Sequence, residues 1–225
     1  MRSEFKSRRP EMKKDFCTMY LLRHGETEWN RDKINMGHSD SPLTEPGIWQ
    51  ANELALLLKS IDFSVVYSSD SPRAVRTARI VFGNRSGSMK KTAKLRERNF
   101  FHFEGMSSSE YHKINEESFL AKNVLQEAER WKFKIAGCVE SDDSLVMRVI
   151  SKLQDIATAH NGENVLVSTH GGPIRHLLMK LGYAPYGSLP GGSFKNAGYI
   201  VIQSDGKELT IMEVHGIEEK KDEHK

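Results

Sequence analysis

Three positions scattered along the chain carry side chains suited to handling a phosphate: the pair Arg23-His24, then Arg73 and His170. Arg23 brings fixed positive charge and forked donors. His24 can act as a nucleophile or as a base. Gly25, next in line, lets the backbone approach a ligand closely. Four cationic or potentially cationic groups, Arg23, His24, Arg73 and His170, suit a phosphate better than a carboxylate. Two histidines also raise a metal site. Two arginines beside a metal ion would repel it, and no carboxylates of ligand spacing accompany the histidines. No metal and no cofactor is therefore expected.

These residues matter only if the fold brings them together. The apolar run Cys17–Leu22 reads as a buried strand that ends at Arg23-His24. Thr44, with Glu45 and Pro46 behind it, opens an amphipathic helix over about 44–59. Residues 63–68 read as a second strand, and Ser71-Pro72 starts a helix that carries Arg73, Arg76 and Arg79. A turn is expected over 83–87, and no clean period is visible over 95–105. From 107 to about 135 one or two helices carry a sparse apolar stripe: Leu120, Val124, Ala128, Trp131, Ile135. Ser141 opens a further helix that ends at Asn161-Gly162, and 164–169 is a third strand. His170-Gly171-Gly172-Pro173 leads into a helix, and a hairpin over 199–214 turns at Asp205-Gly206.

Strands alternating with helices imply an α/β sheet, parallel for the first three strands. Arg23-His24, Arg73 and His170 each follow one of those strands. Ligands of open α/β sheets bind beyond the carboxyl ends of the strands, so the three turns should meet at one edge. Arg73 lies in the first turn of its helix, where free N–H groups also favour an anion.

The 225 residues suit one domain with a small cap, and 38% hydrophobic with 28% charged residues is ordinary globular composition. No apolar run approaches a membrane span, and no secretory signal is apparent, so no membrane partner is expected. Only Cys17 and Cys138 are present, which points to reduced thiols and a cytoplasmic setting. The net charge of +3 is local. Six of the 33 basic residues and two of the 30 acidic ones fall in residues 1–14, leaving 27 against 28 in the rest. Residues 1–11 thus read as a disordered basic leader rather than a nucleic-acid arm, and residues 218–225 as a solvated charged tail. Oligomeric state is silent.

Taken in order, the motifs resemble those of the histidine phosphatase superfamily, also called the phosphoglycerate mutase-like family. Arg23-His-Gly-Glu-Thr27, Trp29-Asn30 and Asp40-Ser-Pro-Leu-Thr44 resemble its first motif. Tyr67-Ser-Ser-Asp70 with Arg73-Ala74 and Thr77-Ala78 resembles the second. Leu95-Arg-Glu97 with Phe103-Glu104-Gly105, and Ser168-Thr-His-Gly-Gly172, resemble the third and fourth. The likeness spans roughly residues 17–215. It implies a three-layer α/β/α sandwich around a mostly parallel sheet over 12–217, with a small helical cap segment at about 106–138. By the same resemblance His24 would become phosphohistidine and Glu97 would be the proton donor. Arg23, Arg73 and His170 would hold the phosphoryl oxygens, assisted by Asn30 and the backbone near Gly37 and Gly171. Neighbouring arginines should keep His24 neutral and nucleophilic. Glu104 is a rival acid by its place in the chain. His38, His102, His112 and His176 read as surface or supporting residues, and Arg76 as an exposed helix arginine.

Three departures bear on the leaving group. Met36 stands where relatives often have glutamine, Phe101 replaces a common glycine, and Arg76 replaces a frequent glutamine. Met36 and Phe101 suggest a more apolar pocket than in sugar-phosphate enzymes. The expected function is a phosphomonoester hydrolase acting on a small phosphorylated substrate. A mutase would return the phosphoryl group to the substrate. Cofactor-dependent phosphoglycerate mutases resemble this chain but carry a longer, more basic insertion after the acid, whereas 104–140 is short. A catalytically inactive phosphate-binding scaffold is the third reading, and the intact set of nucleophile, acid and arginines argues against it.

Overall fold

A computed structural model describes residues 16–217, so the expected basic leader and charged tail lie outside the described residues. Along the chain come β1 (Cys17–Arg23), the single-turn α1 (Glu28–Arg31), α2 (Glu45–Leu57), β2 (Val65–Ser69), α3 (Pro72–Phe82) and β3 (Ser88–Thr92). The cap follows as α4 (Ser108–Ile114), α5 (Glu116–Asn123) and α6 (Glu127–Lys132). The chain then returns through α7 (Asp142–Ala159), β4 (Asn164–Thr169), α8 (Gly171–Lys180), β5 (Phe194–Ser204) and β6 (Leu209–Ile217).

The six strands form one sheet in the order β3-β2-β4-β1-β5-β6. β1, β2, β3 and β4 run parallel, and the β5–β6 hairpin is added antiparallel to the β1 edge. Alternation along β1 feeds two cores. Met19 and Leu21 join Val149, Leu153 and Ile156 of α7 and Ile174 and Leu177 of α8 on one face. Leu22 joins Ala51 and Leu54 of α2 and Ala78 and Val81 of α3 on the other. The result is the three-layer sandwich expected.

Local chemistry fixes the helix starts. Thr44 caps α2 by accepting from the Gly47 N–H at 3.0 Å, and Ser141 caps α7 by accepting from Ser144 at 3.2 Å. Gly25 and Gly47 let β1's exit loop and α2 touch backbone to backbone. A Cβ on Gly25 would stand 2.3 Å from the Gly47 carbonyl oxygen.

Two elements differ from the sequence reading. β3 has Met89 as its only large apolar residue, and carries Lys90 and Lys91 at the sheet edge, where charge deters further pairing. Nothing in its composition signals a strand, and pairing with β2 makes it one. The cap stripe also fails in part. Trp131 and Ile135 are buried, but Leu120 is 61% and Val124 83% exposed. The chain breaks at Asn115 and again after Asn123, so no single helical period runs through the segment. Its buried cluster is instead Phe103, Tyr111, Ile135 and Val139.

Candidate active site

Register, rather than sequence proximity, gathers the site. Arg23 ends β1 level with Thr169 at the end of β4, so His24 and His170 emerge side by side. Their ring centroids lie 5.2 Å apart. β2 flanks β4 on its other side, and its Ser69 Oγ lies 2.9 Å from His170 Nε2. α3 follows β2 and carries Arg73 in its first turn.

His24 is held at both backbone and ring. Its N–H donates to Thr169, and its carbonyl accepts from the Ala197 N–H and the Asn196 amide, each at 3.2 Å. Nδ1 lies 2.8 Å from the Gly25 carbonyl. A carbonyl only accepts, so Nδ1 carries the hydrogen and the neutral ring keeps its lone pair on Nε2. Burial, then Arg73 and Arg23, hold the ring's pKa well below the ordinary histidine value. His170 is depressed in the same way by burial and by Arg73. Both rings are therefore neutral at pH 7.

The arginines are anchored yet incompletely used. Arg73 is 2% exposed. Its Nη1 donates to the Ser39 carbonyl at 2.7 Å and to Asp40 at 2.9 Å, and its Nη2 to the Gly37 carbonyl at 2.8 Å. Arg23 Nη1 donates to the Phe194 carbonyl. Burial pushes the Arg23 guanidinium down to about 10, so it stays charged. Arg23 Nε, Arg73 Nε and His170 Nδ1 are buried without a hydrogen-bond partner. Gly171 lies against the Arg23 side chain, where a Cβ would come within 3.3 Å of Nε.

The two rival carboxylates are separated by their partners. Glu97 sits on the N-terminus of α8, its Oε2 accepting from Gly172 N–H at 2.9 Å and its Oε1 from Arg98 N–H at 2.7 Å. Gly172 is required for that approach, since a Cβ there would stand 2.0 Å from Glu97 Oε1. Glu104 instead clamps the loop around Gly37. It accepts from the His38 N–H at 2.7 Å, the Ser39 N–H at 2.8 Å and the Ser39 hydroxyl at 2.7 Å. Both of its oxygens are spent on that loop. Gly37 has φ +54, and a Cβ on it would collide with Glu104, so glycine is required on both counts.

Arg23, His24, Asn30, Gly37, Arg73 and Glu97 all line one cleft of about 1370 Å³ between the sheet edge and the cap. That exceeds the several hundred Å³ common for small-ligand sites. His170 and Gly171 do not line it; His170 stands fully buried behind His24. Met36 lines the cleft, but Phe101 does not: it is 52% exposed at φ +53. A left-handed backbone there accounts for the glycine the resemblance expects. Phe100 lines the wall in its place. Arg76 and His102 are exposed and stay outside, whereas His112 and buried His176 face the cleft.

The cleft also holds residues the sequence reading did not single out. Asp142 at the start of α7 binds Arg98 at 2.6 Å, Lys122 at 2.8 Å and the Tyr186 hydroxyl at 2.6 Å. Burial alone would raise its pKa, but His176, Arg98 and Lys122 hold it far below the carboxylate range. Arg175 and Arg130 add two more cations to the wall. Arg175 lies one turn into the helix opened by Gly171, a spacing that could have flagged it. Asn196, whose amide also reaches Asn30 Oδ1 at 3.1 Å, carries no such signal. Among the described residues no group of three or more His, Cys, Asp or Glu could hold a metal, and no helix is long and apolar enough to cross a membrane.

Known proteins place this arrangement. The chain is 37% identical over 166 residues to phosphoglycerate mutase-like protein 4 of Arabidopsis thaliana, covering 72% of this chain and 70% of that one. It is 33% identical to the metal-independent phosphoserine phosphatase of the same plant, over 79% of this chain and 74% of that one. Among solved structures, YhfR of Bacillus stearothermophilus superposes with a TM-score of 0.77 at 29% identity, covering 90% of this chain and 98% of that one. The sequence profile of the histidine phosphatase superfamily, branch 1, matches residues 19–215, and the chain belongs to that family.

Proposed function

We propose that this phosphatase hydrolyses small phosphomonoesters through a phosphohistidine formed on His24. The observation that carries the reading is the state of the His24 ring: neutral, with Nδ1 donating to Gly25, Nε2 keeps its lone pair beside two buried arginines. Phosphoryl transfer needs an in-line nucleophile and offset charge on the equatorial oxygens more than it needs covalent chemistry from the protein. His24 Nε2 attacks phosphorus as the ester P–O bond breaks. The Nε groups of Arg23 and Arg73 donate to phosphoryl oxygens. His170, its ring 5.2 Å from that of His24, joins them through its unpartnered Nδ1. Asn30 and the backbone around Gly37 and Gly171 complete the cradle.

Protonated Glu97 gives its proton to the leaving oxygen. Its carboxylate then takes a proton from the water that attacks the phosphohistidine. The P–N bond breaks, the electron pair returns to Nε2, and inorganic phosphate leaves. Glu97 lines the cleft beside His24 and Glu104 does not, which favours Glu97 as the acid. Charge is offset by arginines, so the scheme calls for no metal or cofactor. The short cap favours hydrolysis over mutase transfer.

The test is turnover of p-nitrophenyl phosphate together with trapping of the phosphoenzyme from a radiolabelled phosphomonoester by an alkaline denaturing quench. The label should be acid-labile and alkali-stable, and His24→Ala should lose both label and turnover. Turnover surviving in His24→Ala would overturn the reading. Phosphoglycerate converted to its isomer without release of inorganic phosphate would replace the hydrolase by a mutase.

A further inference from the structure

Resting on the phosphohistidine reading, we infer that Asn196 is a positioning residue: it holds the Asn30 amide so that the NH2 group of Asn30 is presented to the phosphoryl oxygens. The start of β5 touches three site residues at once. The Phe194 carbonyl accepts from Arg23 Nη1, the Ala197 N–H donates to the His24 carbonyl at 3.2 Å, and the Asn196 amide reaches both His24 and Asn30. This stretch is not regular strand. Its pairing with β6 shifts register between Phe194 and Tyr199, and Ala197 has φ +53. A left-handed alanine is disfavoured, and such strain collects where the surroundings hold a functional group in place. Bulges beside active sites re-aim side chains, and here the side chain is Asn196.

Backbone groups fix the orientation of both amides. The His24 carbonyl can only accept, so the end of Asn196 that lies 3.2 Å from it is the NH2 group. The Thr27 N–H can only donate, so the end of Asn30 that lies 3.3 Å from it is Oδ1. The two hydrogens of Asn196 Nδ2 then serve the His24 carbonyl and Asn30 Oδ1, the latter at 3.1 Å. With Oδ1 engaged twice, Asn30 keeps Nδ2 for a ligand, and both asparagines line the cleft with His24. A flipped Asn30 would offer the phosphate an oxygen and repel it. Thr27 alone guards weakly against the flip, since 3.3 Å is long for such a bond. Asn196 supplies the second lock. Its two contacts differ in consequence. A main-chain carbonyl cannot turn, and His24 keeps the Ala197 N–H when Asn196 is lost. The Asn30 amide sits on rotatable bonds, so the loss passes through Asn30.

The test is a double-mutant cycle read by calorimetric Kd for orthovanadate, which mimics five-coordinate phosphorus. Asn30→Ala removes the donor and should weaken binding ~10–100-fold. Asn196→Ala leaves the donor present but unaimed, and should weaken binding about 10-fold. In the Asn30→Ala background the same change should cost less than ~3-fold, because no amide is left to aim. Asn196 is only half-buried, so these variants should fold, and melting temperatures check that. Asn196→Ser is carried through the same cycle as a second truncation of the amide. Wild-type affinity in Asn196→Ala or Asn196→Ser would overturn the inference. So would an equal fold-loss in both backgrounds, which would make Asn196 a support of the fold or of His24 and not of Asn30. Orthovanadate binding needs no turnover, so a wild type that binds it yet forms no phosphoenzyme refutes the phosphohistidine reading alone.

Discussion

At the level of single side chains, the leaving group separates the work proposed for His24 and Glu97. An alkoxide needs a proton badly and p-nitrophenolate hardly at all. Glu97→Gln should therefore slow an alkyl phosphate by ~10²–10⁴-fold and the p-nitrophenyl ester far less. Burst kinetics on both esters measure this, and equal slowing of phosphoenzyme formation would remove Glu97 as the acid. Gly172→Ala offers an independent route to the same profile. Its Cβ would stand 2.0 Å from Glu97 Oε1 and must displace the carboxylate without changing it chemically. The alkyl ester should again suffer more than the aryl ester, whereas a uniform fall would mean that Glu97's placement does not matter. Both variants leave intact the contact of His24 with Gly25 that sets the nucleophile's tautomer.

Among the elements, the cap is the most weakly specified part of the fold. It consists of three short helices with a small aromatic cluster of their own. Tyr111 meets Phe100, Phe103 and Phe119 edge to face, with centroids 5.2 to 5.8 Å apart. Such a segment can change without disturbing the sheet. Exchanging residues 106–138 for the cap of another family member should alter the substrate profile while p-nitrophenyl phosphate is still cleaved. An unchanged profile would remove the cap from substrate choice. One of its joints is strained. Ala136 has φ +52, is exposed, and its N–H is tied to Ser118 Oγ at 3.0 Å. Ala136→Gly relieves the left-handed penalty at little packing cost, and should raise stability by up to ~1 kcal/mol. Urea denaturation would show it, and a loss of stability would show that the strain is not there to be relieved.

For the molecule as a whole, the buried histidines tie stability to pH. His24, His170 and His176 are all held below the ordinary histidine range, first by burial. The folded state keeps them neutral while the unfolded chain takes up protons near pH ~6.5. Below that value the unfolded state binds more protons, so stability falls as pH falls. Each histidine contributes a loss of at most ~1.4 kcal/mol between pH 7.5 and 5.5. Asp142 has linkage of the same sign in a lower pH window. Its depressed pKa stabilises the fold above pH ~3.9 and fails only below that, outside the same window. Urea titrations at the two pH values should find the protein less stable at pH 5.5, and equal stability would refute the argument.

Sequence alone determined the strands β1, β2 and β4, the helices that follow them, and the expectation that their carboxyl ends meet. Each strand is a run of apolar residues closed by a turn, and each helix carries its own period and cap, so the information is local. It also supplied Arg23, His24, Arg73 and His170, because unusual residue types at strand ends stand out against that pattern, while Glu97 came from the likeness of Leu95-Arg-Glu97 to a family motif. Tertiary structure decided the rest. β3 is a strand only because β2 pairs with it, and the Leu120–Val124 stripe is exposed because the cap breaks into short helices. Glu97 and Glu104 are alike in sequence and are told apart by what donates to them and by which of them lines the cleft. Asn196, Asp142, Arg130 and Arg175 reach the cleft from elements distant in the chain. Hydrogen bonds and charge pairs between distant elements have no period, so no pattern along the chain could reveal them.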